Sequence, residues 1–199
     1  MAPPDQLPMF GFQQREIGAG EHSSVFFALR PDEATAQQIH AMAIRLRDAN
    51  GLRGKLMPVN TLHVTLCFLG DFMGVPPELL QGADLAGRAQ RALPFELAFD
   101  RVLTFRGNRK QLPVVLCRAD DCAPLTALRA RLGAALSGIG RKYEPRSFRA
   151  HVTLLYDTVE VPEQLVGPIS WTVRELLLLR SLVGQGRHEV LARYPLAGA

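Results

Sequence analysis

Apolar and polar positions alternate through Leu62–Leu69 and again through Phe148–Tyr156, the period of a half-buried strand. Each stretch carries the tetrapeptide His-Val-Thr-Leu, at His63–Leu66 and at His151–Leu154. Successive strand residues point to opposite faces, so each histidine shares a face with the threonine two places on, while Val and Leu are buried behind them. Strict alternation also predicts Tyr156 on the core face with Val152 and Leu154, and Cys67 and Leu155 on the histidine face.

The rest of the pattern supplies a frame for these two strands. Ser23–Leu29 reads as a first strand ended by Pro31. Asp32 is a suitable N-cap for a helix to about Asn50, with Ile39, Met42, Ala43 and Leu46 at helical spacing and Gly51 as its stop. Pro76-Pro77 opens a second helix to about Leu93. Phe95–Leu103 and Leu112–Cys117 read as strands around a polar turn with Arg106, Arg109 and Lys110 at its tip, predicted to be solvated. A third helix follows Pro124, marked by Leu125, Leu128, Leu132, Ala135 and Ile139. Ile169–Val173 continuing through Glu175–Leu182 reads as one long apolar strand, and His188–Leu196 returns after a turn. Helix followed by motif strand occurs in both halves. The expectation is an α+β, bilobal domain over residues 23–199: two antiparallel sheets facing a central cleft, helices outside, with a pseudo-twofold repeat. Met1–His22, rich in Pro, Gly and Gln, reads as a flexible N-terminal extension.

Composition narrows the function classes only a little. The 199 residues carry 23 Lys+Arg against 19 Asp+Glu, a mild excess of +4 that suits an anionic ligand such as RNA without requiring one. Cys67, Cys117 and Cys122 lack metal-ligand or CxxC spacing and read as free thiols. No apolar run reaches the ~18 residues of a transmembrane helix, and Met1–Pro8 lacks the basic and apolar regions of a signal peptide. A cytoplasmic monomer with no membrane partner is expected.

Two histidines on one polar face suggest phosphoryl transfer. Opening a cyclic phosphate needs one group to take a proton from water and another to protonate the departing oxygen. Imidazole, with an unperturbed pKa of ~6.5, serves both roles near neutrality. The threonine hydroxyls can donate to the non-bridging oxygens. No metal or cofactor is needed, and no GxxxxGK[ST], HExxH or GxSxG motif offers another apparatus. His22, His40 and His188 have no matching threonine and are expected to be structural or solvated.

With these motifs the chain resembles the two-histidine (2H) phosphoesterase superfamily, whose hallmark is a pair of HxT/S-hydrophobic motifs. Within it the LigT-like group is most similar: RNA 2′,3′-cyclic phosphodiesterases, also described as 2′-5′ RNA ligases. The similarity runs from Ser24 to Leu196 and includes Val25–Leu29 with Pro31, Leu62–Gly70, Phe148–Leu154, Arg180–Leu182 and Tyr194–Leu196. The resemblance implies His63 as proton donor to the leaving oxygen, His151 as general base, and Thr65 and Thr153 as phosphate-binding hydroxyls. Arg149 and Lys55 match basic residues that relatives often carry near the two motifs. Relatives also often have Lys or Arg four residues after each histidine. Cys67 and Leu155 stand there in this chain, so a less basic site is expected. The implied reaction is hydrolysis of RNA or nucleotide 2′,3′-cyclic phosphates to 2′-phosphates; the histidine pair alone would serve either a 2′ or a 3′ product. The reverse reaction, 2′-5′ RNA end-joining, and a non-catalytic RNA- or nucleotide-binding module are the alternatives.

Overall fold

The computed structural model describes residues 21–107, 110–138 and 148–197. Eight strands and three helices follow in the order β1 (His22–Leu29), α1 (Glu33–Ala49), β2 (Val64–Met73), α2 (Pro77–Arg88), β3 (Phe95–Thr104), β4 (Leu112–Cys117), α3 (Ala123–Ser137), β5 (His151–Asp157), β6 (Gln164–Val173), β7 (Glu175–Leu182) and β8 (Arg187–Pro195). Most of the N-terminal extension, Asn108-Arg109 of the polar turn, and Ile139 with the basic stretch after it lie outside the described residues. His22, assigned to the extension from sequence, already pairs with Met73 as the first residue of β1.

The strands form two four-stranded antiparallel halves, β6-β3-β4-β5 and β2-β1-β7-β8. One residue pair, Val64 opposite Val152, joins β2 to β5. Each half contains the unit strand–helix–motif strand, β1–α1–β2 in one and β4–α3–β5 in the other, and places its motif strand at the seam. The apolar run Ile169–Leu182, predicted as one strand, is broken at Arg174. Its first part pairs with β3 and its second with β1, so the chain crosses there from one half to the other.

Helices cover one face of the sheet. Asp32 caps α1 as predicted, its carboxylate accepting from the Thr35 backbone N–H at 2.8 Å. Gly51, at φ 63°, takes the left-handed turn that ends it. Helix α1 follows a strand of one half but packs on β6 of the other, and α3 likewise lies on β2. The seam is therefore held by helices that straddle it. Val64 and Val152 are both fully buried beneath them, each worth about 1.5–3 kcal/mol in transfer free energy. A smaller apolar cluster, Phe26, Ala28, Leu177 and Leu179, lies on the opposite face. Among the described residues no helix is long and apolar enough to cross a membrane.

Candidate active site

With Val64 opposite Val152 in an antiparallel pair, Thr65 falls opposite His151 and Thr153 opposite His63. All four side chains share the face away from the helices. The histidines are diagonal neighbours, a relation that in antiparallel pairs spans roughly 7–8 Å. Their rings are fixed in the same way. His63 Nδ1–H donates to the carbonyl of Thr61 at 2.7 Å, and His151 Nδ1–H donates to the carbonyl of Arg149 at 2.7 Å, in each case two residues back. These bonds set the tautomer and leave each Nε2 as the nitrogen not held by the backbone. The Thr65 hydroxyl donates to His63 Nε2 at 3.1 Å.

Strand alternation breaks immediately after each motif threonine. In β2, Thr65 pairs with Ala28 and Cys67 with Phe27, leaving Leu66 unpaired. In β5, Thr153 pairs with Val115 and Leu155 with Val114, leaving Leu154 unpaired. Both are β-bulges at the leucine of the motif, and each freed carbonyl finds a donor: Leu66 O accepts from Arg129 Nε at 3.2 Å, Leu154 O from the Met57 N–H at 2.8 Å. A bulge shifts the side chains that follow it to the other face, in β2 as far as the second irregularity at Leu69. Cys67 and Leu155, expected on the histidine face, are in the core, and burial pushes the Cys67 thiol up to about 11. Tyr156, expected in the core, turns to the histidine face at 37% exposure, and Phe68 does the same at 58%. Their matched positions give each histidine strand one accessible aromatic.

The imidazoles sit in aromatic surroundings that the sequence did not disclose. Phe26 stacks on His63 with ring centroids 4.9 Å apart, and His188 meets His63 edge-on at 5.0 Å. His188, expected to be structural or solvated, is thus a neighbour of the site, brought there by the pairing of β8 with β7. Phe105 packs edge-on against His151 at 4.9 Å. Burial holds His63 down at about 4; the charges of Arg30 and His151 lower it further, against the Thr61 carbonyl, which raises it. His151 is also lowered, by burial first and by Arg149, while the Arg149 carbonyl raises it. His188 lies at about 4 through burial, His63 and Arg30.

Of the basic residues, Arg149 lies at the His151 end, its Nε donating to the Arg118 carbonyl at 3.4 Å and its Nη2 3.7 Å from Glu163. Lys55 is exposed on a segment that bridges to β5 through Leu56 and Leu155. Buried Asp157 secures that segment, accepting from the Arg53 and Gly54 N–H groups, both at 2.7 Å. Gly54 passes so close to the Tyr156 carbonyl that a Cβ would overlap it. A cavity of about 500 Å³ opens beside Phe105 and another of about 560 Å³ beside Arg30. Among the described residues no three His, Cys, Asp or Glu side chains group as metal ligands.

A sheet of two antiparallel halves with a histidine and a threonine from each on one face defines the two-histidine phosphoesterase class. Residues 31–185 match the model of the 2′-5′ RNA ligase superfamily, and the chain belongs to that family. E. coli LigT complexed with NADP+ superposes with a TM-score of 0.71 at 25% identity, covering 90% of this chain and 99% of that one. The same protein complexed with 3′-AMP gives 0.70 at 26%, covering 89% and 99%. The protein TT0787 of Thermus thermophilus shares the fold, with a TM-score of 0.69 at 23% identity over 88% and 98% of the chains. No curated protein matches the sequence.

Proposed function

We propose that the protein hydrolyses 2′,3′-cyclic phosphates at RNA or nucleotide ends to 2′-phosphates, using His63 as acid and His151 as base without a metal. The observation that carries this reading is the matched pair of imidazoles, each held through Nδ1 by the carbonyl two residues back and each with Nε2 on the shared face. A phosphate between them has His151 Nε2 on the side from which water attacks and His63 Nε2 on the side of the leaving oxygen, the in-line arrangement the displacement needs. His151 takes the water proton as the new P–O bond forms; His63 gives its proton to the ribose oxygen as the old bond breaks. Thr65 and Thr153 donate to the non-bridging oxygens. Arg149 and Lys55 supply positive charge at the His151 end, Arg149 close to the phosphate and Lys55 toward the RNA backbone.

A neutral His63 must gain a proton before it can act as acid. The incoming phosphate supplies the reason: negative charge beside the ring favours the imidazolium and offsets burial. Phe68 and Tyr156 offer flat apolar surface to nucleobases on either side. The nucleotide complexes of E. coli LigT support the ligand class. The alternative, joining RNA ends through a 2′-5′ linkage, is the same ring opening with a 5′-hydroxyl in place of water as the nucleophile. His151 takes that hydroxyl's proton and His63 protonates the same leaving oxygen, and excess water favours hydrolysis. The test is incubation with nucleoside, 5′-phosphorylated nucleoside and dinucleotide 2′,3′-cyclic phosphates and a chelator, followed by identification of the products. A 2′-phosphate is expected; no turnover, or turnover only when metal is restored, overturns the proposal.

A further inference from the structure

The two halves treat charge differently beside their histidines. At the His151 end, cations stand against carboxylates: Arg106 meets Glu160 at 3.0 Å, and Glu163 meets Arg101 at 2.6 Å and Arg149 at 3.7 Å. At the His63 end, the cavity of about 560 Å³ is lined by Arg30, Arg174 and Arg193 together with Thr172, Asp32 and Glu175. Glu175 is engaged by Arg193 at 2.5 Å, and the Asp32 carboxylate is occupied in capping α1. Among the described residues Arg174 makes no ion pair, and two of the three guanidinium nitrogens of Arg30, Nε and Nη2, are buried with no hydrogen-bond partner. Burial and the charge of Arg193 act against Arg30, and Glu175 compensates only in part. A guanidinium left this way favours an anion.

This cavity adjoins the histidine face. Leu29, the last residue of β1, pairs with Val64, so Arg30 follows just past the strand at the level of His63. Thr65, Ala28, Leu177 and Arg193 form one row across β2, β1, β7 and β8, three strand spacings or roughly 14 Å at the backbone. The reach of an arginine side chain shortens that to the scale of one nucleotide. Under the proposed roles His63 protonates the ribose oxygen, so the nucleoside bearing the cyclic phosphate lies on this side, with the arginine cavity within its reach.

We infer that the Arg30–Arg174–Arg193 cavity binds the phosphate attached to the 5′ oxygen of the terminal nucleoside, so that the substrate class is 5′-phosphorylated or oligomeric rather than a bare nucleoside cyclic phosphate. The inference rests on the proposed function and deepens it.

The experiment compares three substrates: a nucleoside 2′,3′-cyclic phosphate, the same compound with a 5′-monophosphate, and a dinucleotide ending in the cyclic phosphate. One additional charge-assisted hydrogen bond to the 5′ phosphate should raise kcat/KM about tenfold for both phosphate-bearing compounds. Arg174→Gln and the double change Arg174→Gln with Arg193→Gln should collapse that ratio toward one and weaken its dependence on salt. A rise for the 5′-monophosphate alone would place a free terminal phosphate, not a strand, in the cavity and overturn the oligomeric arm. Equal kcat/KM for all three in the wild type, or an unchanged ratio in the variants, overturns the inference while leaving the hydrolysis itself standing. Failure of all three to turn over strikes the proposed function instead.

Discussion

Val64 and Val152 face each other in the one residue pair that bridges β2 and β5, and each directly follows a motif histidine. That pair acts as the pivot of the site. It sets which threonine stands opposite which histidine and puts the two rings on a diagonal, while the side chains of the pair itself point into the core.

Truncating the pivot should therefore disturb both stability and chemistry. Val64→Ala or Val152→Ala removes fully buried methyl groups and should cost about 1–3 kcal/mol in urea unfolding. Turnover under conditions where the variant stays folded should also fall, because the diagonal is no longer fixed. Lost stability with wild-type turnover would show that the helices alone position the rings.

If the imidazoles transfer protons, His63→Ala and His151→Ala should each lower kcat by about 10²–10⁴-fold. The double variant should lose far less than the product of the two effects, since the pair acts as a unit. Circular dichroism should stay native. Either single variant with near wild-type kcat would remove the mechanism.

The frame was legible in the sequence because its signals are local. Asp32 before a helical period, Gly51 after it, and alternation around each His-Val-Thr-Leu are read within a few residues, and the structure bears them out. What failed was alternation carried past Leu66 and Leu154. A bulge depends on donors distant in sequence, Arg129 on α3 for one carbonyl and Met57 for the other, so no local pattern marks it. His188 was missed for the same reason: only the pairing of β8 brings it to His63. The unbroken run Ile169–Leu182 hid a crossover, because both parts carry strand-like apolar positions and what separates them is their partner strands.

The bulges lead to a prediction about nucleobase binding. Phe68 and Tyr156 are accessible on the histidine face, and stacking a base on an aromatic ring is worth about 1–3 kcal/mol. Tyr156→Ala and Phe68→Ala should raise KM for nucleotide substrates by roughly tenfold or more with little change in kcat. Steady-state kinetics with an abasic ribose cyclic phosphate provides the control, since its KM should not respond. A fall in kcat alone, or no change, would return these rings to a structural role.

Asp157 gives a stability prediction separate from catalysis. Its carboxylate accepts from four backbone N–H groups, those of Arg53, Gly54, Thr158 and Val159, which together hold it below the usual carboxylate range. Asp157→Ala leaves buried donors unpaired and should cost about 1–3 kcal/mol or more. The wild-type contribution is present above the unfolded pKa of ~3.9 and is lost as pH falls through the lower folded value. The variant's stability should consequently depend less on pH in that acid range, as measured by urea unfolding at stepped pH.

If the two imidazoles transfer the protons, they set the pH dependence of the reaction. In the free protein His63 lies at about 4 and His151 below its ordinary value, both chiefly through burial. The ratio kcat/KM reports the free protein, so both limbs of its bell, which belong to the coupled pair, should fall below about pH 6.5. Bound phosphate places negative charge beside both rings and raises them. The bell for kcat should in consequence lie at higher pH than the bell for kcat/KM. Folding carries the same sign: neutral buried rings stabilise the protein fully above the unfolded value of ~6.5, and that stability is lost as pH falls toward the folded value. His63→Phe should reduce the pH dependence of stability in this window, leaving the share of His151 and His188, and should lower kcat by about 10²–10⁴-fold. If the two bells coincide, substrate does not bring His63 its proton, and the assignment of His63 as the acid fails.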